Sequence, residues 1–469
     1  MAALAFLAFR SGRSKDLEII GLRHQLAVPH SATTTGPCSA RSQLNFPGPR
    51  LVEVEPWDLL REACRRAAQE LPRFAMRSRF PDTETMGGDG MSDVSEVGVR
   101  LTRAELDQAS HAPGEIYASP EILRREIDEY FKRAWLYVGR VEELAEPGDY
   151  MALRLVGEPV LISRDSDGQL HANYNMCAHR GVEIAYGSGN KKAFSCPYHG
   201  WVYGLDGKLK GAAYMEDTQG FDLADCSLPP MKIDVWRGNI FINFDNDAEP
   251  LADAMAAIDE EFSFLGWEKC RLGNKIEIDL ACNWKFVHEN LMDFYHVGVL
   301  HAGSFGAGFK FEPDMVETRD GGGLSLFYQA GPPTPGAEPL LGKMPWLEDR
   351  DHSFACTSFS APNLTFFGRI DCIRPMVAWP IDEGHTKVIV YHLFPEEFFD
   401  RPDIDETLKI YRDFQILVFE EDRLMIESMQ LAMSSSAYVP GRMSTLEKGI
   451  HNFLNGYLDR VLPADGASA

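Results

Sequence analysis

Residues 177–200 read CAHRGVEIAYGSGNKKAFSCPYHG, with Cys177 and His179 at one end, Cys196 and His199 at the other, and small, polar and glycine residues between them. Two thiols and two imidazoles complete a set of metal ligands. Gly and Pro crowd both pairs (HRG, GSGN, CPYHGW), as at two loop tips that close on a metal from opposite sides. Thiolates need a soft metal and imidazoles suit iron or zinc, so the set fits either a structural zinc or a mixed-ligand iron–sulfur cluster. Ligand count leaves both open.

The surroundings show which elements carry these loops. SPEILRREIDEYFKRAW (119–135) has a Ser cap, Pro at the first helical position, an acidic first turn and apolar residues at helical spacing, which predicts an amphipathic helix. The period then changes. YMALRLVGEPVLISRD, QLHANYNM, KAFSC, WVYGLDGKL and WRGNIFINFD are short β-rich runs split by Gly, Asp and Pro, and they predict a small all-β domain over 136–250 with the ligand loops at its centre. Residues 91–135 form a helical segment before it. Beyond 250, helical LADAMAAIDEEFSFL and KFVHENLMDFYHVG alternate with strand candidates NKIEIDLACNW, LSLFYQA, SFSAPNLTFFG, CIRPMVAWPI and TKVIVYHLFP, before the long helical IDETLKIYRDFQILVFEEDRLMIESMQ. Strands followed by a terminal helix predict an α+β domain with an antiparallel sheet over 251–469.

A second constellation lies in NWKFVHENLMDFYHVGVLH (283–301), where Asp293, His296 and His301 are spaced D-x2-H-x4-H. On a regular helix Asp293 and His296 share a face, whereas His301 is turned about 140° from His296. Both histidines reach one metal only if the helix is distorted or ends between them, and Gly298 is the expected place. Two histidines and one carboxylate with open positions are the ligands of mononuclear non-haem Fe(II) oxygenases. His288 matches no such role and is read as structural.

Composition excludes other classes. With 46 basic against 70 acidic residues the chain lacks the Lys and Arg that phosphate binding needs, so no nucleic-acid partner is expected. No apolar run approaches eighteen residues, so no membrane span is expected. Nine scattered cysteines argue against a disulfide framework and for a reducing, cytoplasmic setting. Residues 1–90 differ from the rest, with 12 basic and 10 acidic side chains against 34 and 60 beyond them. Their opening resembles the leader of bacterial transposase proteins. They are read as an upstream fusion or an early-called start with Met91 as the natural beginning, or else as a genuine N-terminal extension.

NMCAHRG and CPYHGWVYGLDGKL resemble, nearly residue for residue, the motif of the Rieske non-haem iron ring-hydroxylating oxygenases, in their large catalytic α subunit, and the likeness runs from about 115 to 460. The resemblance implies a Rieske [2Fe-2S] β-domain joined to a helix-grip (START/Bet v1-like) catalytic domain. It assigns Cys177, His179, Cys196 and His199 to the cluster, which transfers electrons to a mononuclear Fe(II) on His296, His301 and a carboxylate of the C-terminal helix. Among Glu420, Glu421, Asp422 and Glu427, the E-D-x4-E pattern matches best with Asp422 as ligand and Glu421 next. Asp293 is implied to bridge His199 of a neighbouring subunit to His296, which requires a ring of three α subunits, as a homotrimer or an α3β3 assembly. Asn290 also matches a position near the site.

The chemistry so implied is reductive activation of O2 and insertion of oxygen into a small organic substrate, by dihydroxylation, monohydroxylation or demethylation. No G-x-G-x-x-G fingerprint is present, so NAD(P)H acts through a separate reductase, with or without a ferredoxin. Apolar and aromatic LSLFYQA, TFFGRI and PMVAWP favour an aromatic substrate. A quaternary amine of the choline, betaine or carnitine type, caged by the same aromatic residues, is the alternative. A Rieske electron carrier would leave D-x2-H-x4-H unexplained, and a zinc protein would have no redox activity.

Overall fold

A computed structural model of the chain describes residues 94–463 apart from 307, 308 and 361. The readings made on residues 1–90 lie outside the described residues.

The chain enters through helices α1 (Glu96–Thr102), α2 (Glu115–Ala118) and α3 (Pro120–Glu126). As the sequence predicts, Ser119 caps α3 by accepting from the Ile122 amide, with Pro120 at the first position. The helix does not run on to 135. At Ile127 it widens into a π-turn, Ile127–Phe131, which buries Tyr130 and Phe131 together.

Ten strands follow: β1 (Leu136–Arg140), β2 (Asp149–Leu155), β3 (Glu158–Arg164), β4 (Leu170–Tyr174), β5 (Ser188–Asn190), β6 (Phe194–Ser195), β7 (Val202–Tyr203), β8 (Leu209–Gly211), β9 (Pro230–Trp236) and β10 (Asn239–Asn243). They build an antiparallel seven-stranded sheet, β1-β10-β9-β4-β3-β2-β5, and a three-stranded sheet, β6-β7-β8. The ligand loops leave β4 and join β6 to β7. Both are thus anchored on paired backbone, one on each sheet.

After α4 (Leu251–Phe262) comes the long strand β11 (Cys270–Leu280), then α5 (Trp284–Met292) and the single turn α6 (Val297–Leu300). Strands β12 (Val316–Thr318), β13 (Leu324–Gln329), β14 (Phe354–Ser360), β15 (Leu364–Arg369), β16 (Ile373–Asp382) and β17 (His385–Pro395) complete a second antiparallel seven-stranded sheet, β11-β17-β16-β15-β14-β13-β12. SFSAPNLTFFG is therefore two strands. The chain turns around Asn363, and Ser360 pairs with Leu364. Edge strand β11 buries Ile276, Ile278 and Leu280 at alternate positions, as a strand with one covered face must, whereas central β15 and most of β16 are buried on both faces.

Helix α7 (Ile404–Met433) covers this sheet with one stripe, Leu408, Tyr411, Phe414, Gln415, Phe419, Asp422, Ile426 and Met433, at the three-to-four-residue spacing of a buried helix face. Its docking is pinned where Glu427 accepts from the Ala281 amide at the end of β11. Helix α8 (Lys448–Val461) closes the chain.

The first and last described segments pack together. Ser110 bridges Arg442, and Met443 donates its amide to the Ala109 carbonyl at 3.1 Å. Beneath them Glu126, fully buried, receives the Trp284 indole at 2.6 Å, the Tyr457 hydroxyl at 2.7 Å and the ammonium of equally buried Lys285. Burial is tolerated there because every partner of the charge is supplied. Arg140 similarly ties the first sheet to the second, donating to Asn239 and to the Cys270 carbonyl.

Candidate redox and metal centre

The two ligand turns are built alike. Gly181 donates its amide to the Cys177 carbonyl (2.8 Å) and Gly200 to the Cys196 carbonyl (3.0 Å). These glycines take φ +75° and +70°, the left-handed conformation that closes each turn. Asn175 braces the first turn from inside, accepting from the Ile184 and Ala185 amides. As a result Cys177 and Cys196 are 2% and 3% exposed, while His179 and His199 stand at the surface.

The imidazoles meet with Nδ1 atoms 3.1 Å apart. A tetrahedral zinc would draw all four donors around one point. Among the described residues, however, the group of three or more metal-ligating side chains whose donors all fall within 4.8 Å lies elsewhere. Paired imidazoles outside and thiols inside fit ligands divided between two irons. Tyr203 and Trp201, directly after the second ligand pair, both touch this site. The Tyr203 hydroxyl donates to the Cys177 Sγ at 3.2 Å and accepts from the Ala178 amide, and the Trp201 indole stacks on the His179 ring at 4.9 Å.

The second constellation converges on one point. The His296 and His301 Nε2 atoms are 3.2 Å apart, and Asp422 Oδ1 lies 3.0 Å from the latter and 3.5 Å from the former. Ligands at right angles on a metal, each about 2.1 Å from it, stand about 3 Å from one another, so this set fits one ion with open positions.

The local chain explains the convergence, and it corrects the role expected of Gly298. Helix α5 stops at Asp293, whose carboxylate accepts from the Tyr295 amide at 2.8 Å and turns the chain. His296 and His301 then flank the single turn α6, one at each end, and Gly298 lies inside that turn. Asp293 Oδ2 is 3.2 Å from His296 Nδ1 without the alignment of a hydrogen bond, while Asn290 donates to Asp422 Oδ1 at 3.2 Å. Glu421 is no member of the group. Its Oε2 meets His301 Nδ1 at 2.7 Å, behind the ring.

Burial lowers the pKa of His296, but the carboxylates of Asp293 and Asp422 outweigh it and lift the imidazole to about 9. Burial opposes ionisation of Asp422 too, and its hydrogen bonds to His296 and His301 still hold its pKa below the usual range. His288, by contrast, is buried on Thr365 with its pKa pushed down to about 3, which agrees with a structural role.

The donor group opens onto a cavity of about 740 Å³, its mouth included, lined by Phe294, Phe309, Tyr328, Phe367, Met376 and Phe414 among others. Arg369 and Arg374 also line it. Sequence reasoning missed both arginines, because GRIDCIRP carries no spacing that separates a cavity arginine from a surface one. For Asp422 a signal did exist, since it is the acidic residue that falls on the apolar stripe of α7 whereas Glu420 faces solvent.

Comparison with known proteins bears on this geometry. The family described as the Rieske [2Fe-2S] domain matches residues 134–222, and that described as the ring hydroxylating alpha subunit (catalytic domain) matches residues 267–462. The chain belongs to the Rieske-type non-haem iron oxygenases, as a catalytic α subunit. Choline monooxygenase of Beta vulgaris is 29% identical over 80% of this chain and 82% of its own. The carnitine monooxygenase oxygenase subunit of Acinetobacter baumannii is 28% identical over 71% and 88%. Among solved structures, the quaternary ammonium Rieske monooxygenase CntA is 25% identical over 78% of this chain and 99% of its own, with a TM-score of 0.65. Naphthalene 1,2-dioxygenase, at 21% identity, 77% and 94% coverage and a TM-score of 0.60, shares the fold.

The α+β architecture, the [2Fe-2S] cluster and the dependence on reductive O2 chemistry expected from the sequence therefore stand. The preference for an aromatic substrate has less support than its alternative, since the relatives named above from Beta vulgaris and Acinetobacter are monooxygenases of quaternary amines. No helix among the described residues is long and apolar enough to cross a membrane.

Proposed function

We propose that this protein is the oxygenase component of a reductase-fed monooxygenase, with the [2Fe-2S] cluster on Cys177, His179, Cys196 and His199 and Fe(II) on His296, His301 and Asp422. The observation that carries the reading is the mutual 3.0–3.5 Å spacing of the three donors at the end of an apolar cavity. Ferrous iron there would supply open positions for O2, with electrons delivered from the cluster. Overall, one oxygen atom enters a C–H bond of the substrate, the other leaves as water, and two electrons and two protons are consumed.

The chain's own residues prepare the site. Glu421 and Asn290 orient His301 and Asp422, and the aromatic wall keeps water from the reacting carbon. Asp293 is our candidate for the electron bridge from His199 of an adjacent subunit to His296, in a ring of three α subunits. His199 is solvent-exposed and Asp293 and His296 are partly exposed, which leaves both sides of that bridge accessible. NAD(P)H would be oxidised by a separate reductase, with or without a ferredoxin, and the scattered free cysteines fit a cytoplasmic setting.

For the substrate we favour a quaternary amine, by likeness to the choline and carnitine enzymes. Oxygenation of an aromatic ring is the second reading, favoured by the phenylalanines of the cavity. Reconstituted enzyme with a reductase should convert a trimethylammonium compound to its demethylated or hydroxylated product, with about three irons and two sulfides per chain. Asp293→Asn should keep both metal centres yet lose turnover; full turnover in that variant would reject the bridge.

A further inference from the structure

Arg369 ends β15 and Arg374 is the second residue of β16, on either side of the turn Ile370–Cys372. They are 5% and 6% exposed, and both line the cavity that holds His296, His301 and Asp422. Arg369 Nη1 donates to the Tyr328 hydroxyl at 2.7 Å and to the Gly368 carbonyl at 3.3 Å, and Arg374 Nη1 donates to Gln415 Oε1 at 2.7 Å. The Nε of each has no partner. Among the described residues neither guanidinium has a carboxylate within 4.0 Å. Both lie over the same ring, with Cζ atoms 5.6 and 5.4 Å from the centre of Phe367.

Two like charges buried together without a counter-charge are costly to fold, and buried N–H groups without acceptors add to the cost. Asp371, in the intervening turn, does not close this gap: one carboxylate oxygen accepts from the Tyr411 hydroxyl, the other has no hydrogen-bond partner, and it forms no ion pair with either guanidinium, although the charge of Arg374 opposes the burial that pushes its pKa up to about 6. The cavity's own carboxylates, Asp293 and Asp422, are held by His296 and His301. One region of the cavity is thus cationic, with donors left over, and the cavity is also lined by His296, His301 and Asp422.

We propose that Arg369 and Arg374 bind the carboxylate of the substrate, which is therefore an organic acid or zwitterion whose apolar or quaternary-ammonium portion is presented to His296, His301 and Asp422. This rests on the cavity being the oxygenase's substrate site, as proposed above. Guanidinium forks match the plane and spacing of a carboxylate, and the Tyr328 hydroxyl lies beside them. The same two charges repel a substrate that is only a cation.

The test is binding, read by calorimetry on the iron-loaded holoenzyme without turnover. Matched pairs that differ in the acid group are compared: glycine betaine with choline, and benzoate with benzyl alcohol. The acid of at least one pair should bind about tenfold or more tightly than its alcohol. Arg369→Met and Arg374→Met should each abolish that preference with the cluster spectrum unchanged, and Arg374→Lys should restore part of it. If no acid is preferred over its alcohol in the unaltered enzyme, or if folded variants keep the preference, the proposal is overturned. Because no product is needed, a carboxylate site without oxygenation and an oxygenase indifferent to carboxylates give different results.

Discussion

His301 and Glu421 meet at 2.7 Å through Nδ1 and Oε2, and the Ser304 hydroxyl donates to the same carboxylate oxygen at 2.8 Å. With Nδ1–H donated to Glu421, the tautomer is fixed and the Nε2 lone pair points at the metal position. Glu421→Gln should weaken Fe(II) binding at His296, His301 and Asp422 by about 10- to 100-fold, measured by competition with a chelator. An unchanged affinity would show that the ring is oriented by packing on Phe305 alone.

Asp422 supplies the single carboxylate of the donor group. Asp422→Ala should drop iron from about three to about two per chain while the visible spectrum of the cluster persists. Three retained irons would move the mononuclear site elsewhere.

The Tyr203 hydroxyl stabilises negative charge on the Cys177 sulfur, and that charge grows on reduction. Tyr203→Phe should therefore lower the reduction potential by about 20 to 60 mV, as expected from a net hydrogen bond of about 0.5–1.5 kcal/mol in a one-electron couple. Voltammetry reads the shift directly, and a rise in potential would contradict this role.

Glu126 and Lys285 are both fully enclosed, and removing one strands the other. Glu126→Ala should cost roughly 3–5 kcal/mol of stability in urea unfolding, since the Trp284 and Tyr457 donors lose their acceptor as well. A loss within the range of surface substitutions would mean that water reaches Lys285.

Burial pushes the Glu289 carboxyl up to about 7, against the opposing pull of His111, the Tyr117 hydroxyl and Lys285. A raised carboxyl binds its proton more tightly when folded, so its stabilisation is complete below about pH 4.5 and is lost as pH rises through 7. Relative to Glu289→Gln, the unaltered protein should lose on the order of 3 kcal/mol between those limits. Parallel stability curves for the two proteins would refute the assignment.

What the sequence makes legible depends on how local the cause is. Cys177, His179, Cys196 and His199 sit on turns closed by their own glycines, so spacing alone reveals them. D-x2-H-x4-H singles out the two histidines that converge with Asp422 but misplaces the break in the helix. That break comes from an Asp293–Tyr295 turn, a side-chain to backbone bond that periodicity does not register. The choice of Asp422 over Glu421 rests in the sequence on the E-D-x4-E pattern, and the apolar stripe of α7, on which Asp422 falls, points the same way. Arg369 and Arg374 were out of reach, because their burial comes from Tyr328, Phe367 and Gln415 on three separate elements.

The joining of two described segments far apart in the chain sets a timetable for synthesis. Glu126 waits for Tyr457, 331 residues further along, and Ala109 waits for Met443. At ribosomal speeds of about 5–20 residues per second, the early segment leaves the exit tunnel about 20 s to a minute before the helix that shelters it. Throughout that interval the carboxylate of Glu126 and the ring of Tyr130 lack the Tyr457 side chain that both meet in the folded chain.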